Sequence, residues 1–472
     1  MADKMGRTMR ARRVMLGAVF VISGCARGAA NPPPVAQPPG QTADCPRSGA
    51  DATKAFRQWA RGHAVPLPSL DPGYPDTSDL AHIKRAVGDA TLVLLSEGCH
   101  NNRQFMLLHQ RVIRYLVQEL GFNTVVSESG LPESFIIHDY VLGAPAPEQM
   151  WRNGLNKMYS AWAEGRALIE WLRQHNQRHR DAPVRYYGVD IAGFYRDWRP
   201  PLRLVTDYLD RVDAAYSRTL KEKIAPLLEI LGTDARKRHQ EVLTAAQRAS
   251  LTLILDAAVA QIQSRRTTYL AKTDAGAYAR ALRTAVALQQ ADTYYNNHRQ
   301  RKHPETSKSV GLNGRELAMA RNILWVMKQH RGARVIAINH VIHTKTASGP
   351  QEGIWGHFTP MGALLKEALG DRMVAIGMVY GGGSYWKDWQ EPEKRVVDTI
   401  PEARADGMEA TLGGVGPANY FINFRDAPPG ARAWLERPTT LRENDYYTAM
   451  TPGEWDGCFY IDRATPATPA VR

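Results

Sequence analysis

The sequence predicts an α/β domain: a mostly parallel sheet with flanking helices and a helical cap insertion. Three observations carry this reading. Short apolar runs alternate with amphipathic stretches through most of the chain. The first two runs bracket a single amphipathic helix, which makes a strand–helix–strand unit. The alternation is then broken by a long section with almost no strand signal, from about Pro201 to Met327.

The elements follow in chain order. Ala52 to Ala64 reads as a short helix. Strand-like runs cover Thr91–Ser96, Thr124–Ser127, Val184–Val189, Arg334–Asn339, Met373–Val379, Asn419–Phe424 and Gly457–Asp462. Between the first two, Phe105, Leu108, Val112, Tyr115, Leu116 and Leu120 recur at three- and four-residue steps and so share one helix face. Gly121 ends that helix. Repetition of such units implies a parallel sheet with helices on its faces. The stretches "LKEKIAPLLEILG", "TLILDAAVAQIQSRRTTYL" and "YARALRTAVALQQADTYYNN" all read as helices, forming a cap over one edge of the sheet.

A chain of 472 residues, 44% hydrophobic and 23% charged, is long enough to bury a large core. The net charge is +13, and Lys4, Arg7, Arg10, Arg12 and Arg13 against Asp3 supply part of it. The remaining basic residues are scattered, and no nucleic-acid-binding motif accompanies them, so nucleic acid is not an expected partner. The basic start is followed by "VMLGAVFVISGC", too short to span a bilayer as a helix. Ile22-Ser23-Gly24-Cys25 resembles a bacterial lipobox. The expected organisation is therefore a signal peptide over 1–24, a lipidated Pro-rich tether over 25–50 and the α/β domain over 51–472. Lipidation of Cys25 would hold the domain at a membrane surface. Ala26 after the cysteine favours the periplasmic face of the outer membrane. In an oxidising compartment a clamp between Cys45 and Cys458 is open, and Cys99 is a buried thiol.

In open parallel sheets, ligands bind beyond the carboxyl ends of the strands. The first run is followed by Glu97 and His100, the second by Glu128, the third by Asp190, and the fourth by His340 and His343. Four strands thus deliver ionisable residues to one edge, a concentration that marks a functional site. No G-x-S-x-G elbow, no H-E-x-x-H helix and no phosphate loop is present. Cys99 adjoins His100, but sequence neighbours point apart, so Cys99 is assigned to packing. Histidines and glutamates remain. They suit general-base activation of water, and equally a metal.

Several blocks, in order, resemble the erythromycin esterase family: "SEGCHNNRQF", "RVIRYLVQELGFNTVVSES", "YYGVDIAG", "GRELAMARNILWVM", "ARVIAINHVIH", "PMGALLKEALGDRMVAIGMVYGGGSY" and "WDGCFYIDRATPA". The resemblance spans about Leu80 to Ala467. It implies hydrolysis of a carboxylic ester or macrolide lactone by histidine-activated water, with no required metal or other cofactor, in a cleft between sheet and cap. His100 matches the essential histidine, Glu97 the motif glutamate, Glu128 the second-strand glutamate, and His340 and His343 the paired histidines. Arg315-Glu316 resembles an Arg-Asp pair opening the last cap helix. Where the family has threonine this chain has Cys99, and Asn101 replaces the glycine after the histidine. A family arginine aligns with His109, which supplies charge only when protonated. His109, Asp190 and Arg315 are expected to contact substrate. At the expected helix N-terminus the dipole favours a neutral His100, with Glu97 or Glu128 orienting it. The alternatives are a metal-dependent hydrolase on the same residues, or a haem- or metal-binding lipoprotein similar to the ChaN-like group.

Overall fold

The computed structural model describes residues 49–193, 197–299, 307–351, 356–387, 395–443 and 446–471. The signal segment, Cys25, Cys45 and nearly all of the tether lie outside them. Thirteen strands occur among the described residues: β1 Val65–Pro66, β2 Leu92–Glu97, β3 Thr124–Gly130, β4 Arg185–Asp190, β5 Val335–His340, β6 Gly349–Gln351, β7 Gly356–Phe358, β8 Met373–Lys387, β9 Val396–Thr399, β10 Asn419–Asn423, β11 Thr439–Glu443, β12 Tyr446–Met450 and β13 Gly457–Ala464.

The main sheet runs β1-β10-β13-β8-β2-β5-β3-β4, with β9 paired to the far part of β8. The six strands from β13 to β4 are mutually parallel, and β1, β10 and β9 join antiparallel. The mostly parallel α/β sheet of the sequence reading is therefore present. Strands β2 and β5 are central and buried along their whole length, which explains why they read as unbroken apolar runs rather than alternating ones. Side chains of the two strands divide between two cores, one on each face. Val93, Leu95, Ile336 and Ile338 go to one, and Leu92, Leu94, Val335 and Ala337 to the other.

The helix after β2 runs Arg103–Leu120, and Phe105, Leu108, Val112, Tyr115 and Leu116 on its apolar face are buried. Gly121 ends it in the left-handed region at φ 69°, a conformation that costs glycine little. Between β4 and β5 every regular element among the described residues is a helix, from Arg199–Val212 to Ser307–Gln329. These helices have a hydrophobic core of their own, centred on residues such as Leu209, Leu255, Leu288 and Tyr295. Helix Ser307–Gln329 ties them to the sheet, with Asn322 Nδ2 donating to Val189 O at 2.6 Å.

Two differences from the sequence reading affect the site. Strand β3 does not stop at Ser127 but continues through Glu128 to Gly130, with a register shift against β4. Gly188 on β4 permits this: an added Cβ there would run into the carbonyl oxygens of Ser129 and Gly130. Arg315 lies inside helix Ser307–Gln329 rather than at its opening, because the helix already begins at Ser307.

Candidate functional site

The parallel pairing brings the carboxyl ends of β2, β5, β3 and β4 side by side, in that order. Glu97 ends β2, His340 ends β5, Asp190 ends β4, and Glu128 lies two residues before the end of β3. The loop after β2 carries His100 up to Asn102, which caps the helix by accepting from Phe105 N at 3.2 Å. A one-turn helix, Val341–Thr344, follows β5 and turns His343 back toward Glu128. Gly362 lets that turn pack, since a Cβ there would strike Thr344 O and Lys345 O.

Glu97 is fully buried and its Oε1 lies 2.7 Å from His100 Nδ1. A carboxylate accepts, so Nδ1 carries the proton and Nε2 is the basic nitrogen of the neutral ring. Glu97 thus holds His100 by Nδ1, and Glu128 stands near enough for its charge to act on the same ring. His100 also precedes the helix cap by two residues, so the carboxylate rather than the helix terminus is its near electrostatic neighbour. The ring of His340 packs against His100 with centroids 4.7 Å apart.

Glu128 forms a second cluster. Its Oε1 accepts from Arg315 Nη2 at 2.7 Å and lies 3.1 Å from His343 Nε2, while Oε2 accepts from His340 N at 3.3 Å. Arg315 reaches Asp190 with two nitrogens, at 3.0 and 2.6 Å. His343 Nδ1 lies 2.7 Å from Glu316 Oε1. Burial disfavours the His343 cation, but Glu316 and Glu128 outweigh it and push the imidazole up to about 10. Burial likewise opposes the Glu128 anion, yet His343 and Arg315 hold its carboxyl well below the usual range. Both shifts favour the charged forms of His343 and Glu128, so His343 is poorly suited to act as a base, although Arg315 Nη1 also lies 3.2 Å from its Nε2 and opposes its charge.

His109, Asp190 and Arg315, expected to contact substrate, each face a carboxylate or cation partner in the structure. They are 2%, 0% and 6% exposed. His109 Nδ1 lies 3.7 Å from Glu97 Oε2, and burial lowers its imidazole below the ordinary value, leaving it neutral. A cavity of about 20 Å³ adjoins His109, Ser127, Tyr159 and Tyr186 behind the site. That is room for about one water and too small for a substrate.

Cys99 is buried in the core, and burial followed by the Glu97 charge pushes its thiol well above the ordinary value. Packing is its role, as the sequence indicated. Cys458 is a free thiol, fully buried in β13. Among the described residues no three His, Cys, Asp or Glu side chains converge to hold a metal ion. Two partners escaped the sequence reading. Glu316 was quoted there only as half of a pair. Glu443 was not singled out at all, although its Oε2 lies 3.0 Å from His340 Nε2. The strand β11 that carries Glu443 gave no apolar run to mark it.

The family model for erythromycin esterase matches residues 117–464. The chain belongs to the erythromycin esterase family. The match begins beyond the Glu97–His100 loop and covers Glu128, Asp190, Arg315, His340, His343 and Glu443. Among curated proteins, the erythromycin esterase type II of Escherichia coli is 23% identical over 87% of this chain and 98% of its own length. The putative hydrolase YbfO of Bacillus subtilis is 20% identical over 89% of this chain and 93% of its own. Among solved structures, a Bacillus cereus protein superposes with a TM-score of 0.75 at 20% identity, covering 89% of this chain and 99% of that one. The erythromycin esterase mutant EreC, in its open conformation, superposes with a TM-score of 0.70 at 18% identity, covering 84% and 97%. At such identities the structural likeness concerns the fold. Membership of the erythromycin esterase family supports a hydrolase that acts on esters.

Proposed function

We propose that the chain hydrolyses a carboxylic ester or macrolide lactone, using water activated by His100. The observation that carries this reading is the 2.7 Å contact between Glu97 Oε1 and His100 Nδ1, which makes Nε2 the basic nitrogen at the carboxyl edge of the sheet. Water is the nucleophile, because the adjacent thiol of Cys99 is buried and held protonated. Nε2 takes a proton from water as its oxygen bonds to the ester carbonyl carbon. The carbonyl electron pair moves onto oxygen, beside the ring of His340. Collapse of this intermediate expels the alkoxide, which recovers the proton from His100. Glu97 steadies the imidazolium between the two steps. Glu128, Arg315 and Asp190 hold His343 and the strand ends in place.

The chain would act at a membrane surface, anchored through Cys25. The helical section between β4 and β5 would select the substrate.

The test is a screen of the purified chain against macrolides, lactones and simple acyl esters, scored by mass spectrometry for addition of one water. Chelator-treated enzyme is run in parallel. Cleavage that survives chelation and is lost in His100→Asn supports the reading. Cleavage that stops with chelator and returns with added metal would replace it by a metal-dependent mechanism.

A further inference from the structure

Strands β11 and β12 form a two-stranded hairpin of their own, outside the main sheet. Its first strand ends in Glu443, which is 1% exposed. Burying a carboxylate is costly unless a partner compensates it. The partner across the gap is His340, with Nε2 3.0 Å from Glu443 Oε2.

The hairpin is fixed from both sides by buried cations. Arg442, 1% exposed, donates to Tyr380 O at 3.0 Å and Gly381 O at 2.7 Å, and so fastens β11 to β8. Its backbone N–H donates to Glu409 Oε1 at 2.5 Å. Lys345, two residues beyond His343 and 5% exposed, donates from Nζ to Ala449 O at 2.7 Å, and so fastens β12 to the turn after β5. Two strong attachments flank one carboxylate, and that carboxylate meets the histidine that packs on His100.

We propose that Glu443 is a positioning residue for the reaction: it fixes the imidazole of His340 beside His100 and favours its protonated form. The inference rests on the ester-hydrolase reading above. It yields two histidine–glutamate pairs with adjacent rings, Glu97–His100 and Glu443–His340, and gives them opposite duties. The first pair takes a proton from water. The second sets an imidazole backed by a carboxylate about one ring width away, and its protonated form would stand where the carbonyl oxygen gathers negative charge. No proton needs to leave His340 for this to work. The groups facing His340 are Glu443 from the hairpin, Glu128 from β3, His343 from its own turn and the ring of His100, while its Nδ1 accepts from Ile342 N at 3.5 Å. Burial disfavours the His340 cation, but Glu443 and Glu128 together outweigh it and raise the imidazole above its ordinary value.

The experiment uses the full chain with Glu443→Gln and Glu443→Asp. It reads kcat and KM against pH, and the His340 ring resonances by NMR, assigned with His340→Gln. In Glu443→Gln, kcat should fall about tenfold or more, on the scale of a lost transition-state charge contact. KM should stay within about twofold. The His340 titration, and with it the high-pH fall in kcat, should move to lower pH. Glu443→Asp keeps the charge and should recover part of kcat and most of the titration. A merely structural role would lower the melting temperature of both variants and leave the titration where it was. An unmoved His340 titration in folded Glu443→Gln, or an unchanged kcat, would overturn the proposal. If no ester is cleaved by the unsubstituted chain, the hydrolase reading fails, and the NMR titration still decides alone whether Glu443 charges His340.

Discussion

Glu97 stands directly opposite His340 across the parallel β2–β5 ladder, each the last residue of its strand. This register brings the Glu97–His100 pair and the Glu443–His340 pair side by side, although the two glutamates are more than three hundred residues apart in the chain. A one-residue slip of β5 would turn His340 to the other face of the sheet.

The first prediction concerns the base. His100→Asn should lower kcat about a hundredfold to ten-thousandfold, the usual worth of general-base assistance. Cys99→Ser should fold and keep most of its activity, because a thiol held protonated in the core contributes packing only. Steady-state kinetics of both variants, with mass spectrometry of quenched enzyme, checks this. A covalent acyl-enzyme in the quenched sample would rule out direct water attack.

The second concerns the buried charge cluster. Arg315→Met takes from Asp190 the guanidinium that grips it and from Glu128 the second of its two cationic neighbours, both carboxylates being within a few per cent of full burial. Removing one partner of such a cluster costs about 3–5 kcal/mol. Denaturant unfolding should register a loss of that order, and Arg315→Lys should restore only part of it, since a single ammonium cannot reproduce the two-nitrogen grip on Asp190. A stability change below about 1 kcal/mol in Arg315→Met would mean that the cluster relaxes or takes up protons without cost.

Much of this arrangement was legible in the sequence because each first partner sits at the end of an apolar run. Glu97, His100, Glu128, Asp190, His340 and His343 were found this way, and the parallel sheet explains why the pattern worked. What failed was pairing. Sequence gave no means to see that Arg315 from one helix meets Asp190 and Glu128 from two strands. Nor did it show that Glu97 faces His100 while Glu128 faces His343. Glu443 was invisible for another reason: a two-stranded hairpin off the main sheet has no buried apolar run, and its glutamate looks like any surface charge.

The third prediction is a pH profile of stability. The folded-state value of His343 is raised to about 10, above its ordinary 6.5. Its contribution is therefore complete below about pH 6.5 and is lost as pH rises through about 10. Glu128 is depressed, so its contribution is present above its ordinary 4.5 and is lost as pH falls through the lower folded value. Melting temperature against pH should show a plateau with a decline on each side. His343→Asn should flatten the alkaline decline in particular. An alkaline limb identical in that variant would assign the effect to another group.

The fourth concerns a strap across the His100 loop. Segment Thr465–Val471 does not join the sheet but runs over this loop. Arg103 N donates to Thr465 O at 2.9 Å and Ala467 N to Asn101 O at 2.8 Å. Asn101, 1% exposed, donates from Nδ2 to Trp386 O at 2.9 Å, and Trp386 Nε1 donates to Ala467 O at 2.7 Å. Further along, Thr468 bonds the carboxylate of Glu164, which also pairs with Arg103 at 3.2 Å. Loop, strap and β8 thus close a ring of hydrogen bonds around the residue that follows His100. An asparagine does here what a smaller residue could not, because only its amide reaches Trp386. Deleting the residues from Thr465 onward should free the loop while leaving strand β13 intact. A displacement of about 1 Å at a catalytic group can cost on the order of a hundredfold in rate. The truncated chain should therefore lose kcat by tenfold to a hundredfold on that basis, with a smaller change in KM. Asn101→Ala should follow the same direction less steeply, because it removes one link of the ring and keeps the rest. Hydrogen exchange over Gly98 to Asn102 should rise in both variants. A truncated chain with unaltered kcat, or with unaltered exchange in that loop, would show that Glu97 alone is enough to hold His100.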